Sequence, residues 1–296
     1  MRTTTLRQTK QHTAFVVPCY NEQYRLNVAQ FRDFLQTTPD IRFIFVDDGS
    51  RDGTAELLEG MRQTVGPNQV EILRLSENHG KAEAIRQGML LALSPNYRRG
   101  LEISFVGYLD ADLATPLSEA RRLIEIAHRR EDIDIVIGSR LGLKGHRVER
   151  TPLRKIIGRL FSAVASRLMG LPVQDTQCGA KLFRVRNWLV RVFRHEFKDR
   201  WLFDIEILAR VKLLLGADAA SKLFECPLEN WTEVGGSKLK LADFIRAPLK
   251  LLSLVVEYRL KKTIMLNKME AESPVLMPFS NSKTEVSHSE SQRKAS

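Results

Sequence analysis

Five short apolar runs, rich in β-branched and aromatic residues, alternate with helical patterns through the first half of the chain. The runs are TAFVVP (13–18), RFIFVDD (42–48), VEILRL (70–75), ISFVGYLD (103–110) and IDIVIGSR (133–140). Between them, VAQFRDFLQ, GTAELLEGMRQ, GKAEAIRQGMLLAL and PLSEARRLIEIAHRR space their apolar residues to suit helices. Strand–helix–strand alternation predicts an α/β domain with a mainly parallel central sheet flanked by helices. Ligands of such sheets sit outside the carboxyl ends of the strands. CYNE, DDGS, DAD and GSR each follow a strand, so all four are expected along one rim.

The later chain is less regular. TPLRKIIGRLFSAVASRLMG (151–170) predicts a basic amphipathic helix, FDIEILARVKLLL (203–215) another helix, and SKLFECPLENW (221–231) a strand entering a loop. A second basic amphipathic stretch runs from Ser237 to Lys262, interrupted at Pro248. The last thirty residues hold seven serines and no hydrophobic period, which predicts disorder. The expected organisation is a flexible N-terminus (1–12), an α/β domain (13–236), basic C-terminal amphipathic helices (237–264) and a tail (265–296). The N-terminus has no apolar run and no window is apolar enough to span a bilayer, so neither a signal peptide nor a transmembrane segment is expected.

Charge is placed unevenly. The chain carries a net +11 among 296 residues. Lys144–Arg200 has 14 basic and 4 acidic residues, a net +10, and Gly236–Lys262 has 7 and 2, a net +5. The rest is therefore net negative. Such a bias implies an anionic partner: nucleic acid, a phosphorylated substrate or a membrane surface. The basic segments are interleaved with Leu, Ile and Val and offer few aromatics for base stacking, which favours a membrane surface over nucleic acid. Cys19, Cys178 and Cys226 show neither metal-ligand spacing nor a disulfide framework, and read as core residues of a reducing compartment.

Asp110 and Asp112 end the fourth apolar run. Side chains at i and i+2 of an extended segment point the same way. Two such carboxylates repel unless a cation joins them, and a hard divalent ion, Mg²⁺ or Mn²⁺, suits them. Asp132-Ile-Asp134 has the same spacing but reads as a polar lead-in to a strand. Asp47-Asp48-Gly49-Ser50 predicts a turn with helix capping near Gly53, and its acids could also accept from a ribose or base. Asn78-His79-Gly80-Lys81 opens a helix, where backbone N–H groups and Lys81 suit a diphosphate. Neither the dinucleotide nor the P-loop glycine fingerprint is present.

In this order, VVPCYNE, FVDDGS, NHGKAEAIRQGM, YLDADLATP and IGSR together resemble the family 2 inverting glycosyltransferases of GT-A fold, over roughly Thr13–Lys240. DTQCGAKLFR, FDIEIL and NWTEVGGSKL narrow the resemblance to polyprenyl-phosphate hexose synthases, nearest the dolichyl-phosphate β-glucosyltransferase branch. The resemblance implies a nucleoside held by Pro18, Tyr20, Glu22 and Asp48, with Lys81 near the nucleotide. It implies that Asp110 and Asp112 bind the diphosphate through Mg²⁺ or Mn²⁺. It assigns Arg140, Arg154 and Lys155 to the acceptor phosphate and gives Asp112, Arg140 and Asp175 catalytic roles. Where the mannosyl branch carries a glutamine after the acid pair, this chain has Ala114, which has no metal-binding atom. The implied reaction is transfer of glucose from UDP-glucose to a polyprenyl or dolichyl phosphate, by an enzyme attached peripherally to the cytoplasmic face of a membrane.

Three other readings stand beside it. One is transfer of mannose from GDP-mannose. Another is a soluble glycosyltransferase with a hydroxyl acceptor, for which Asp175, Asp204 or Glu206 would supply the base. The third is a catalytically silent nucleotide-sugar-binding protein, against which the intact DAD and Lys81 argue.

Overall fold

The computed structural model describes residues 11–98, 100–140, 147–149 (backbone), 166, 170–234, 249–254, 256–258, 264, 266 and 267. Its strands are β1 (His12–Cys19), β2 (Ile41–Asp48), β3 (Val70–Leu75), β4 (Ile103–Tyr108), β5 (Ile135–Ser139), β6 (Arg147–Glu149), β7 (Lys181–Arg184), β8 (Leu223–Pro227) and β9 (Asn230–Thr232). Its helices are α1 (Val28–Thr37), α2 (Thr54–Val65), α3 (Lys81–Leu93), α4 (Pro95–Arg98), α5 (Leu117–Arg129), α6 (Leu189–Phe193) and α7 (Phe203–Leu215).

The main sheet runs β3-β2-β1-β4-β7-β5-β8. Its pairings are parallel except those of β7, which lies antiparallel between β4 and β5. A short parallel pair, β6 and β9, stands apart. The central strands are continuous apolar runs because both faces are covered. Phe15, Val17, Phe43 and Phe45 point to one face, where Phe31, Leu58 and Leu123 of α1, α2 and α5 meet them. The alternate residues Val16, Ile44 and Val46 point to the other, under Ile85, Val192 and Ile207 of α3, α6 and α7. Helix α3 lies unusually close to the sheet: a Cβ on Gly88 would stand 2.4 Å from Val16 Cγ1. That approach brings Lys81, the first residue of α3, beside the strand tips.

The structure revises or extends the sequence reading in four places. His12, assigned above to the N-terminal arm, opens β1 and donates its backbone N–H to Glu102 O at 2.7 Å. The motif carrying KLFR is a central strand, β7. Its charged ends hid it, yet Lys181 is fully buried and Arg184 donates to the carbonyls of Ala127, Arg130 and Ile133. Residues 249–254 and 256–258 are helical, and one side of this segment, Leu251, Leu254 and Tyr258, packs on Leu202, Ile205, Ala209 and Leu213. Leu266, assigned to the tail, joins the edge of that cluster. Most of the expected 151–170 helix, and the tail beyond 267, lie outside the described residues.

Candidate active site

The loops at the carboxyl ends of the strands are bonded to one another. Asn21 sits at φ +51° and its side chain accepts from Arg51 N at 2.9 Å, while its own N–H donates to Ser50 Oγ at 3.0 Å. Glu22 N donates to Thr54 Oγ1 at 2.7 Å. Pro18 is the residue of β1 opposite Val46, and Tyr20 lies half-buried one residue past the strand. Glu22 is buried and pairs with Arg25. These residues therefore reach the rim as the sequence implied.

DDGS does more structural work than expected. Asp47 Oδ1 accepts from Ser50 N at 3.0 Å, closing the turn. Asp52, rather than the DDGS motif, accepts from Thr54 N at the start of α2. Asp48 is buried and accepts from His79 N at 2.8 Å and Gly80 N at 2.7 Å. Both its oxygens thus hold the loop that opens α3. Burial pushes its carboxyl up from the ordinary value, and the two backbone donors offset this only in part. Gly49, at φ +66°, lets the two loops touch, since a Cβ there would lie 2.5 Å from the backbone of Glu77.

That clamp fixes Lys81. Its Nζ lies 2.5 Å from Asp110 Oδ1. Desolvation works against the Lys81 charge, but Asp110, with Asp204 and Asp112, outweighs it, and the pKa is raised. Strand β4 ends at Tyr108, so Asp110 and Asp112 are not extended-strand neighbours as the i, i+2 argument assumed. Asp110–Leu113 is a turn closed by Leu113 N to Asp110 O at 3.4 Å, with Leu113 at φ +53°. Asp112 Oδ1 accepts from Ala114 N at 3.1 Å, and Ala114 O accepts from Thr232 N of β9 at 3.1 Å. Even so the two acids share one electrostatic site. Burial, then the Asp110 charge, raises the Asp112 pKa.

The donors present fit a hard divalent cation. Asp110 Oδ1 is buried against the Lys81 ammonium, and burial and then the Asp110 charge disfavour the ionised form of Asp112, a penalty that a cation would reverse. Among the described residues, no group of three His, Cys, Asp or Glu could hold a metal ion. Among the described residues, Asp110 and Asp112 would be the protein's share of such a site, with phosphate and water able to complete it.

Arg140 and Asp175 meet further along the rim. Asp175 accepts from Arg140 N at 2.8 Å, Nε at 2.7 Å and Nη2 at 2.7 Å. Burial opposes the Arg140 charge, Asp175 prevails, and the pKa is raised. Glu225 of β8 holds the Asp175 loop by accepting from Gln174 N and Asp175 N. Arg140 also lies 5.6 Å from the Trp231 ring centroid. Arg154 and Lys155 lie outside the described residues.

Asp204 and Glu206 are not rim bases. Asp204 is buried and receives Lys181 Nζ at 2.5 Å and Tyr108 OH at 2.5 Å. Glu206 is buried and receives Arg210 Nη2 and Tyr258 OH, each at 2.8 Å.

Two rim residues escaped the sequence reading. Gly179, inside the quoted DTQCGAK motif, makes room for the Asp110 carboxylate: a Cβ there would lie 2.1 Å from Asp110 Oδ2. Arg200, for which the sequence holds no signal, lies over Gly80, its Cδ 3.2 Å from where a Cβ would be. Its charge is felt at Asp48, and its side chain makes no hydrogen bond or ion pair among the described residues.

The fold matches solved glycosyltransferases. Glucosyl-3-phosphoglycerate synthase from Mycobacterium tuberculosis in complex with UDP aligns with a TM-score of 0.58 at 17% identity, covering 84% of this chain and 80% of that chain. The same enzyme in complex with Mn²⁺, UDP-glucose and phosphoglyceric acid aligns with a TM-score of 0.59 at 16% identity, covering 84% and 79%. Residues 14–189 match the model of glycosyl transferase family 2, and the chain belongs to that family. It is 32% identical over 262 residues to a dolichyl-phosphate beta-glucosyltransferase of Trichomonas vaginalis, covering 84% of this chain and 72% of the relative. Dolichyl-phosphate beta-glucosyltransferases of Dictyostelium discoideum (33%, covering 77% and 68%) and Homo sapiens (32%, covering 78% and 70%) are similar in the same way.

Proposed function

We propose that this family 2 glycosyltransferase moves glucose from UDP-glucose to dolichyl phosphate, or a related polyprenyl phosphate, with inversion. The observation that carries the reading is the cluster of Lys81, Asp110 and Asp112 at the strand tips, in a chain whose relatives are named for that reaction. An acceptor phosphate monoester has a second pKa of about 6, so it is largely dianionic at neutral pH and needs little help from a base. Its oxygen bonds to the sugar's anomeric carbon as the bond from that carbon to the UDP oxygen breaks, and no proton need move. That reading accommodates a rim where Asp204 and Glu206 are committed to buried ion pairs.

In this scheme Asp110 and Asp112 hold Mg²⁺ or Mn²⁺, which when bound supplies Lewis-acid stabilisation of the departing diphosphate. Lys81, at the start of α3, adds positive charge to the same diphosphate. Pro18, Tyr20 and Glu22 border the nucleoside, while Asp48 acts by holding the α3 loop. Arg140, oriented by Asp175, serves the acceptor phosphate, a role for which the family resemblance also names Arg154 and Lys155.

The membrane is met by the C-terminal stretch. No helix among the described residues is long and apolar enough to cross a bilayer. Leu249, Leu252 and Val256 are exposed at helical spacing, followed by exposed Ile264, on a segment whose Leu251, Leu254 and Tyr258 are buried. With the basic residues of 236–262, such a stripe suits the interface plane of an anionic membrane. Three free, buried cysteines accord with the cytoplasmic face.

The test is transfer of labelled sugar to dolichyl phosphate from UDP-glucose, UDP-galactose, UDP-N-acetylglucosamine and GDP-mannose, with Mn²⁺ or excess EDTA. UDP-glucose should be preferred, and Asp112→Asn should lower turnover about 10²–10³-fold, the worth of several kcal/mol of lost Lewis-acid stabilisation. Preference for GDP-mannose refutes the donor, and full activity in EDTA refutes the metal.

A further inference from the structure

The basic excess of Lys144–Arg200 does not all serve the rim. Lys181 stands at the rim end of β7, which then runs antiparallel to its neighbours. It delivers the next arginines to the opposite end of the sheet, where Arg184 N donates to Asp134 O at 2.7 Å and Val185 N to Ser104 O at 2.9 Å, beside the starts of β5 and β4. A cavity of about 310 Å³ opens there, lined by Arg98, Arg186, Arg191 and Arg194 over an apolar floor that includes Leu93 and Val190. Arg186 lies five residues along from Lys181, two past the end of β7, a span of about 16 Å if extended. That is twice the Debye length of about 8 Å at physiological salt, so these charges do little for a phosphate at the rim.

We propose that this cavity binds a small phosphate-bearing anion. Four guanidinium groups around one cavity repel one another. Asp134 is shared by Arg186 at 2.9 Å and Arg184 at 3.7 Å, and Glu131 and Asp132 also act on Arg184. Arg98 Nε is buried and donates to no acceptor among the described residues. A buried donor without an acceptor is costly, and a guanidinium fork fits phosphate oxygens two at a time. The membrane reading above, on which only the choice of source rests, puts lipid at the other end of the molecule: Lys250, beside the first exposed leucine, pairs with Asp199 at the rim end of α7. The ligand is therefore a soluble anion.

Calorimetry of the full chain with inorganic pyrophosphate in EDTA tests this. One site per chain is expected, weakened at least tenfold in Arg98→Gln/Arg191→Gln and unchanged in Lys81→Gln, with UDP-glucose turnover of the arginine variant unaltered. Should the double variant not fold, Arg98→Lys, which keeps the charge and loses the fork, carries the same test. Equal affinity in wild type and arginine variants overturns the proposal, as does loss of binding in Lys81→Gln, which places the anion at the rim. Sedimentation with phosphatidylcholine vesicles, with and without phosphatidylinositol 4-phosphate, separates the sources. Headgroup-dependent retention that the arginine variants lose overturns the soluble assignment.

Discussion

Lys181→Met is the most informative single perturbation below the site. Lys181 is 0% exposed, and its ammonium reaches Asp204 Oδ1 at 2.5 Å and Cys178 O at 2.7 Å. Tyr108 OH donates to the same Asp204 oxygen at 2.5 Å, and the Lys181 Nζ lies 5.4 Å from the Tyr108 ring centroid. Methionine keeps most of the side chain's volume, so the loss is one of charge. Removing one partner of a buried pair leaves the other uncompensated and costs about 3–5 kcal/mol. At about 2–4 °C per kcal/mol for a domain of roughly this size, the melting temperature should fall by roughly 6–20 °C. Urea denaturation of the full chain reads the free energy directly. Lys181→Met/Asp204→Leu removes both charges and leaves the Tyr108 hydroxyl unpartnered, at about 1–3 kcal/mol. The double variant should therefore be more stable than Lys181→Met, with a coupling energy of at least about 2 kcal/mol in the cycle. Additive effects, or a single-variant loss under about 1 kcal/mol, would refute the claim that this pair holds β7 to α7.

Gly179→Ala should displace the Asp110 carboxylate, because the new Cβ would meet Oδ2 at 2.1 Å; turnover and Mn²⁺ affinity measured together should both fall at least tenfold while the far-ultraviolet circular dichroism stays native. Arg200→Ala should raise KM for UDP-glucose several-fold with little change in melting temperature, since the side chain bonds nothing in the described protein; an unchanged KM removes it from the donor site. Burial would raise the Asp199 pKa, but Lys250 and the N–H groups of Trp201 and Leu202 outweigh it and the pKa is lowered. A depressed carboxylate gives stability that is present above its unfolded pKa of about 3.9 and lost as pH falls through the folded value. Docking of the 249–258 segment, followed by amide exchange at its buried leucines, should accordingly weaken in acid below about pH 4, and Asp199→Asn should weaken it at neutral pH and flatten the profile.

The strands and helices that carry the site were legible because each is a long apolar run or a clean helical period. Strand β7 was not, because Lys181 and Arg184 made four residues look polar. Their burial depends on Asp204 and on three backbone carbonyls, which arrive from distant parts of the chain. The same limit applies to the acid pair. Spacing located Asp110 and Asp112, but the turn through Leu113 at positive φ, not strand alternation, orients them. Asp48 was read as a ligand-facing acid, yet its oxygens take the N–H groups of His79 and Gly80, a use that only the crossing of two loops reveals. Asp204 and Glu206, plausible bases in one dimension, are removed from the rim by helix α7, whose buried side carries them inward.

The rim's bonds form a chain of dependencies that separates position from stability. Asn21 and Glu22 are tied to the DDGS–Thr54 loop, Asp48 to His79 and Gly80, and Lys81 to Asp110, whose carboxylate rests on Gly179. From Asp112 the turn passes through Ala114 to β9, and Arg140 reaches β8 through Asp175 and Glu225. Each link costs about 0.5–3 kcal/mol to break, little against the burial of two apolar layers. A displacement near 1 Å at reacting groups, by contrast, can cost a hundredfold in rate. Substitutions at Asp48, Gly179 or Glu225 should therefore read strongly in turnover and weakly in melting, whereas those at Lys181, Glu206 and Arg210 should do the reverse. The two sets lie only one layer apart: the same β4 carries Tyr108 into the buried ion pair and, two residues later, Asp110 into the site.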